Sequence, residues 1–350
     1  MGPSRSVCIP SVRPLASSRT TFRSAERYAS DRGDTEIIVA DNSGDEEKLK
    51  FLDKRENFVS IQTTGLSESL NWNAAFDKSS GEWVSFLSDD DFLFCLGPEG
   101  DAGQIDSAVI GIVPCIAIWN ESRGVYDHRN ISIAGLTAKD RVSQYGRLAR
   151  GNNNALFGFF RRQARVLVQD HVLMHPTRMQ GYNDWAITFM FLAEGNFIND
   201  PASLLVYNNQ NWCGNSEEIQ KKIDRLFVNV GFKATDSRQL HLLLGLDCFI
   251  GIMRANSSLG TREKFDAAMW CLMEYLKSHI CAMRQNPSAY TQAEQNLWLG
   301  QNLRFSFKEL FDALSESVVL ISPALEHDYR QFHKAAIEAD WGCADTLSGL

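Results

Sequence analysis

Residues Asn73 to Phe94 read NAAFDKSSGEWVSFLSDDDFLF: a helix-like run, a small polar break ending in Gly81, an apolar run, and then three consecutive aspartates before the chain turns apolar again. Val84, Phe86 and Leu87 read as a buried β-strand, and Ser88 marks where that strand leaves its sheet. Asp89, Asp90 and Asp91 therefore stand at its carboxyl end. Three neighbouring carboxylates repel one another unless a cation or solvent separates them. An isolated acidic triplet would be read as a solvated turn, so the surrounding chain has to decide.

Upstream, strands alternate with helices. SVCIP (Ser6 to Pro10) is a short strand, SSRTTFRSAERYAS a helix with Phe22 and Ala25 inward, and TEIIVADNS a second buried strand closed by Asp41. EEKLKFLDKR reads as a helix, FVSIQT as a strand, LSESLNWNAAFDKS as a helix and EWVSFLS as the strand that meets the aspartates. Alternation at this spacing predicts parallel strands with right-handed crossovers. Ligands in such sheets bind beyond the carboxyl ends of the strands, so Asp41 and the aspartate triplet are expected to face one crevice. No G-x-G-x-x-G follows the first strand and no G-x-x-x-x-G-K-S/T occurs anywhere. A phosphorylated ligand would then need a hard divalent cation, Mn2+ or Mg2+, held by carboxylate oxygens and bridging to a diphosphate.

The next section, from about Asp106 to Asn211, carries the strand-like stretches SAVIGIVPCIAIW, NALFGFFRR and SLLVYNN, with a helix in GYNDWAITFMFLAEGNF. Trp185, Phe189 and Leu192 follow its helical spacing and Asp184 stands near its start, where the helix dipole alone would favour an acid. From Asn215 the pattern is helical. NSEEIQKKIDRLF opens with a capping residue, Asn215, and Glu218 three positions on. TREKFDAAMWCLMEYLKSHICAM puts Phe265, Ala268, Met269, Leu272, Met273, Leu276 and Ile280 on one face, a core stripe rather than a cofactor box.

Composition bounds the function. At 350 residues, 44% hydrophobic and 22% charged, the chain is globular material for one large domain or two smaller ones. A net charge of −8 and a pI near 5.5, with no Lys/Arg cluster, exclude nucleic acid as a main partner. Eight cysteines without a C-x-x-C pair point to reduced thiols and a cytoplasmic protein, with peripheral attachment to the inner face of a membrane left open. No secretory leader is read in MGPSRSVCIP, and LHLLLGLDCFIGIM (Leu240 to Met253), interrupted by His241 and Asp247, is too short to span a bilayer. It is expected to be a buried helix or one that joins two copies of the chain.

The order of these pieces resembles the family 2 glycosyltransferases of the GT-A fold. The resemblance rests on VCIPSVRP, EIIVADNS, NAAFDKSSGEWVSFLSDDD, FGFFRR and GYNDWAITFMFLAEGNF, which follow one another from residue 6 to about 208. It implies an α/β GT-A domain over 1–212, with a nucleotide-sugar half over 1–100 and an acceptor half over 101–212. The helical extension would then be 213–350. By the same resemblance Pro10 lies at the donor site, Asp41 contacts the nucleotide base, Asp89 lies beside the ribose, and Asp90 binds the metal with Asp91 in support. Asn73 matches a polar position in the preceding helix, which a capping or solvent role explains equally well. Asp184 matches the catalytic base. The implied reaction is metal-dependent, inverting transfer from a nucleotide-sugar, a UDP-sugar first, to a hydroxyl on a glycan, a lipid-linked sugar or a small molecule.

The sequence departs from that pattern at Ser88, where the family often has aspartate, and at Asn208 and Asn209, where some members supply a histidine ligand. His171 and His175 read as surface or core residues before they read as ligands. Tyr182 and Trp185 fit sugar stacking or core packing. Two rivals stand beside the transferase. A sugar nucleotidyltransferase would open with a glycine-rich loop, and IPSVRPLASS has no glycine. The other is a non-catalytic nucleotide-sugar-binding or assembly protein on the same fold.

Overall fold

Alternation in the first hundred residues produces a parallel run of four strands. The computed structural model describes residues 3–97, 105–149, 151–175, 183–299 and 307–337. Strand β1 (Arg5–Ser11) pairs in parallel with β2 (Thr35–Asp41) on one side and β4 (Trp83–Phe86) on the other, while β2 pairs with β3 (Phe58–Gln62). Helices α1 (Leu15–Arg32), α2 (Glu46–Leu52) and α3 (Glu68–Lys78) make the crossovers. Cys8, Ile38, Ala40, Ala75, Phe76, Val84 and Phe86 form the core between the sheet and α3, with the Trp72 ring centroid 4.7 Å from that of Phe86.

Beyond β4 the sheet is mixed. In sheet order the path runs β4, β8 (Phe159–Arg161), β6 (Val109–Asn120), β9 (Asn196–Asn208), β5 (Phe92–Cys95). Of these pairings only β6 with β9 is parallel, and β7 (Gly124–Arg129) adds a hairpin to β6. The parallel expectation thus holds for β1 to β4 and gives way beyond β4, where β8 runs antiparallel to both β4 and β6, and β5 antiparallel to β9. NALFGFFRR is divided: 154–157 is a 3-10 turn, 159–161 is β8, and α5 (Arg162–Met174) begins at its last arginine. Gly81 shows why that position takes no side chain. A Cβ there would lie 2.6 Å from the Arg5 carbonyl carbon and 2.7 Å from the Ser6 nitrogen.

The chain divides into two compact units: Met1–Ala134, Gly151–Gln169 and Gly195–Asn215 form the first, and Gly135–Arg150, Asp170–Glu194 and Ser216–Leu350 the second. The whole sheet lies in the first. The second contains α4 (Ala138–Leu148), α6 (Asn183–Glu194), α7 (Ser216–Asn229), α8 (Leu240–Met253), α9 (Thr261–Gln285), α10 (Gln292–Leu299), α11 (Phe307–Ile321) and α12 (Pro323–Ile337). Helices α4 and α6, assigned from sequence to the acceptor half, therefore group with the C-terminal helices. Helix α8 is enclosed by α6, α9 and α12, and every residue from Leu242 to Met253 is buried. Its apolarity is used inside the chain, as the buried-helix reading expects. Phe265, Ala268, Leu272, Leu276 and Ile280 of α9 are buried, and Met269 and Met273 lie at the half-buried margin. Among the described residues no helix is long and apolar enough to cross a membrane.

The helical unit carries an acid-labile spot. His279 of α9 is 1% exposed beside the rings of Tyr290 and Trp298. Burial first, and then neighbouring His241, push its pKa from 6.5 down to about 4. The unfolded chain binds this proton below pH 6.5 and the folded chain only near 4, so stability present above pH 6.5 falls as the pH drops through that window. The loss is on the order of 3 kcal/mol. Urea titrations of wild type and His279→Gln between pH 7 and 4 check this: the variant should show the shallower decline.

Candidate active site

Capping sets the geometry at the carboxyl ends of β1, β2 and β4. Pro14 offers α1 no side-chain cap, and the Leu15 amide donates instead to Asp45 Oδ2 at 2.7 Å. Asp45 Oδ1 accepts the amides of Glu47 at 2.9 Å and Lys48 at 3.3 Å, capping α2. These amides, Leu15 foremost, hold the Asp45 carboxyl below the usual range. One carboxylate thus starts two helices, and the first turn of α2 directs Lys48 inward.

Lys48 is fully buried. Its Nζ donates to Asp41 Oδ1 at 2.7 Å, Ser11 Oγ at 2.6 Å and the Arg13 carbonyl at 2.8 Å. Ser11 sits opposite Asp41 in register, and its hydroxyl donates to Asp89 Oδ2 at 2.6 Å. The Val12 and Arg13 amides reach the same oxygen, each at 2.9 Å. Asp41 and Asp89, expected to share one crevice, are therefore joined through Lys48 and Ser11. Asp41 Oδ1 also accepts the amide and hydroxyl of Ser43, at 3.0 and 2.7 Å, whereas its Oδ2 is buried and meets no partner among the described residues.

The aspartates form the tight turn anticipated after β4, closed by the Asp91 amide on the Ser88 carbonyl at 3.1 Å. They have separate environments. Asp89 is 2% exposed, and its Oδ1 takes Arg13 Nη1. Asp90 keeps 17% of its side-chain surface and accepts Arg13 Nη2 at 2.8 Å, with Asn211 Nδ2 at 3.4 Å. Asp91 Oδ1 accepts the Asn208 amide at 2.7 Å, and its Oδ2 is buried without a partner among the described residues. Burial raises the pKa of Asp90, against the pull of Arg13, and burial with the Asp90 charge raises that of Asp91 well above the usual carboxylate range. Among the described residues no group of three or more His, Cys, Asp or Glu side chains is arranged to hold a metal ion.

The remaining sequence candidates are more scattered. Pro10 lies in β1 opposite Ala40, and Asn73 is a half-buried residue of α3. The helix polar group tied into the strand ends is Asn71, which accepts Thr63 Oγ1 at 2.6 Å. Asp184 stands in the second unit, in the first turn of α6, where its Oδ1 accepts the Trp185 amide at 2.8 Å. Trp185 packs on Phe189 and Tyr145 within that unit. His175 is a core residue, its Nε2 2.6 Å from Asp247 Oδ2, which also explains the acid in apolar α8. Tyr182 and the His171 side chain lie outside the described residues. Asn209 donates to Tyr126 Oη at 2.6 Å and is not turned toward the aspartates. Sequence reading missed Arg13, Lys48, Ser11 and Asn211. The one signal for them was a pair of bases close to the predicted strand ends.

No family model and no curated protein matches this chain. Solved structures do. The crystal structure of S. aureus TarS 1-349 aligns at a TM-score of 0.52 and 14% identity, covering 99% of this chain and 91% of that one. Its complex with UDP-GlcNAc gives 0.53 at 15% identity, covering 99% and 93%, and its complex with UDP gives 0.50 at 15% identity, covering 96% and 91%. The fold is that of glycosyltransferase structures. The mixed sheet with its crossover helices and the C-terminal helical region are the α/β GT-A arrangement and extension read from the sequence. At this identity the likeness concerns fold alone, and function has to be argued from the site.

Proposed function

We propose that this chain transfers a sugar from a nucleotide-sugar donor to an acceptor hydroxyl, with inversion at the anomeric carbon. One observation carries the reading: two carboxylate oxygens, Asp41 Oδ2 and Asp91 Oδ2, are buried without partners among the described residues at the carboxyl ends of β2 and β4. A buried acceptor left unpaired costs about 1–3 kcal/mol, so two of them at the expected ligand position support a ligand there. Asp41 Oδ2 suits an N–H of a nucleotide base such as uracil. The capture of UDP and UDP-GlcNAc by S. aureus TarS 1-349 makes uridine donors the first to test.

At Asp90 and Asp91 the donor set is oxygen only, with one half-open carboxylate and one orphaned oxygen. That chemistry fits a hard divalent cation whose remaining ligands are water and the donor diphosphate. Asp90 would hold the cation and Asp91 would support it; when bound, it would stabilise the negative charge gathering on the departing diphosphate. Asp89, committed to the β1 turn, keeps that turn closed beside the ribose position. Asp184 is the proposed general base that takes the acceptor proton during attack.

The test is nucleoside diphosphate release from UDP-, GDP- and dTDP-sugars with Mn2+, Mg2+ or EDTA, for wild type and Asp90→Ala. The expected result is cation-dependent release from one donor, lowered at least about a hundredfold in Asp90→Ala, as for removal of one transition-state stabilising group. Donor binding by thermal shift without turnover, acceptor candidates included, would favour the non-catalytic binding protein. Neither binding nor turnover would overturn the donor site.

A further inference from the structure

The side chain that stands where a cation would act is Arg13. Its two terminal nitrogens divide between two acids, Nη1 on Asp89 and Nη2 on Asp90, the second at 2.8 Å. Its backbone is fixed, because the amide donates to Asp89 at 2.9 Å and the carbonyl accepts Lys48 at 2.8 Å. The Arg13 side chain is one-third exposed, with 33% of its surface open. Arg13 therefore has a held backbone and a releasable head.

The two acids would feel its release unequally. Asp89 Oδ2 holds the Ser11 hydroxyl and two amides, and its buried Oδ1 keeps Arg13 Nη1 when the other nitrogen lets go. Asp90, the more open of the two with 17% of its side-chain surface exposed, is left with the Asn211 amide group at 3.4 Å among the described residues, so the exchange falls on Asp90. A divalent cation cannot approach Asp90 Oδ2 while a guanidinium lies on it without strong like-charge repulsion. A diphosphate removes the conflict, since guanidinium pairs with phosphate oxygens as readily as with carboxylate.

We infer that Arg13 is the resident counter-ion of the acidic turn and couples cation loading to the arrival of a nucleotide diphosphate, by exchanging Asp90 for phosphate. The inference rests on the donor-site reading above and goes beyond it in naming the order of events. Without nucleotide, Arg13 neutralises Asp90 and the cation binds poorly. With nucleotide, the guanidinium moves to the diphosphate and Asp90 is freed for the cation.

The experiment is Mn2+ titration, followed by electron paramagnetic resonance of the free ion, on wild type, Arg13→Gln and Arg13→Lys, with and without UDP. Without UDP, Arg13→Gln should bind Mn2+ about tenfold more tightly than wild type, within the usual range of couplings between sites. UDP should then tighten Mn2+ binding far less in the variant than in wild type. Arg13→Lys keeps the charge on a head too small to span both acids and should lie between them, which guards against a folding defect in the glutamine variant. Mn2+ affinity in Arg13→Gln equal to or below wild type, with both proteins folded by thermal melting, overturns the inference. Failure of UDP to bind either protein overturns the donor reading and the coupling with it, while a gain in Mn2+ affinity would still report the counter-ion.

Discussion

Asp184→Asn is expected to lower sugar transfer by a factor of about 10² to 10⁴, the usual contribution of a positioned general base, while UDP affinity stays within twofold of wild type. The exchange keeps size and hydrogen-bond reach at the first turn of α6, where Asp184 accepts the Trp185 amide through one oxygen. What it removes is proton affinity. Asparagine cannot take the proton that leaves the acceptor hydroxyl, so the defect should lie in kcat rather than in donor binding. Single-turnover transfer and calorimetric UDP titration separate the two. An unchanged transfer rate would remove Asp184 from the chemistry and leave it as a helix-start acid favoured by the dipole.

The largest expected stability effect lies at Lys48. Replacing it by methionine keeps the volume of the stem but strands the buried Asp41 carboxylate, and breaking a buried pair in this way costs about 3–5 kcal/mol. The ammonium group also ties β2 to the β1 turn through Ser11 and the Arg13 carbonyl, so nucleotide binding should be lost together with stability. Urea denaturation of Lys48→Met, Asp41→Asn and the double variant measures the pair itself. The double variant should recover much of the lost stability without recovering UDP binding, since Asp41 is the proposed contact to the base. A Lys48→Met protein within 1 kcal/mol of wild type would show, by the same principle, that water reaches Asp41 and that the pair is not buried in solution.

Legibility followed the range of the interactions involved. The strand end at Asp41 was plain because a local hydrophobic run stops there, and the end of β4 at Phe86 falls two residues before the break read at Ser88; the family resemblance added roles to the same positions. Lys48 was hidden by its setting: in EEKLKFLDKR a lysine reads as solvated, and only the Asp45 cap and the β1 turn turn it inward. Arg13 follows a strand in a short loop and carries no periodicity that announces an acid pair 76 residues away. Strands β5 and β7 were missed for a related reason. Each is defined by a partner far along the chain or by a tight hairpin, and its own residues alternate too briefly to stand out. Helix α8 was read as buried or as a surface for another copy, and its burial against α9 fits the first of these.

Asp45 concentrates two helix starts in one side chain. One carboxylate holds the leading amides of α1 through one oxygen and of α2 through the other, so a single substitution at Asp45 would uncap two helices that begin 31 residues apart.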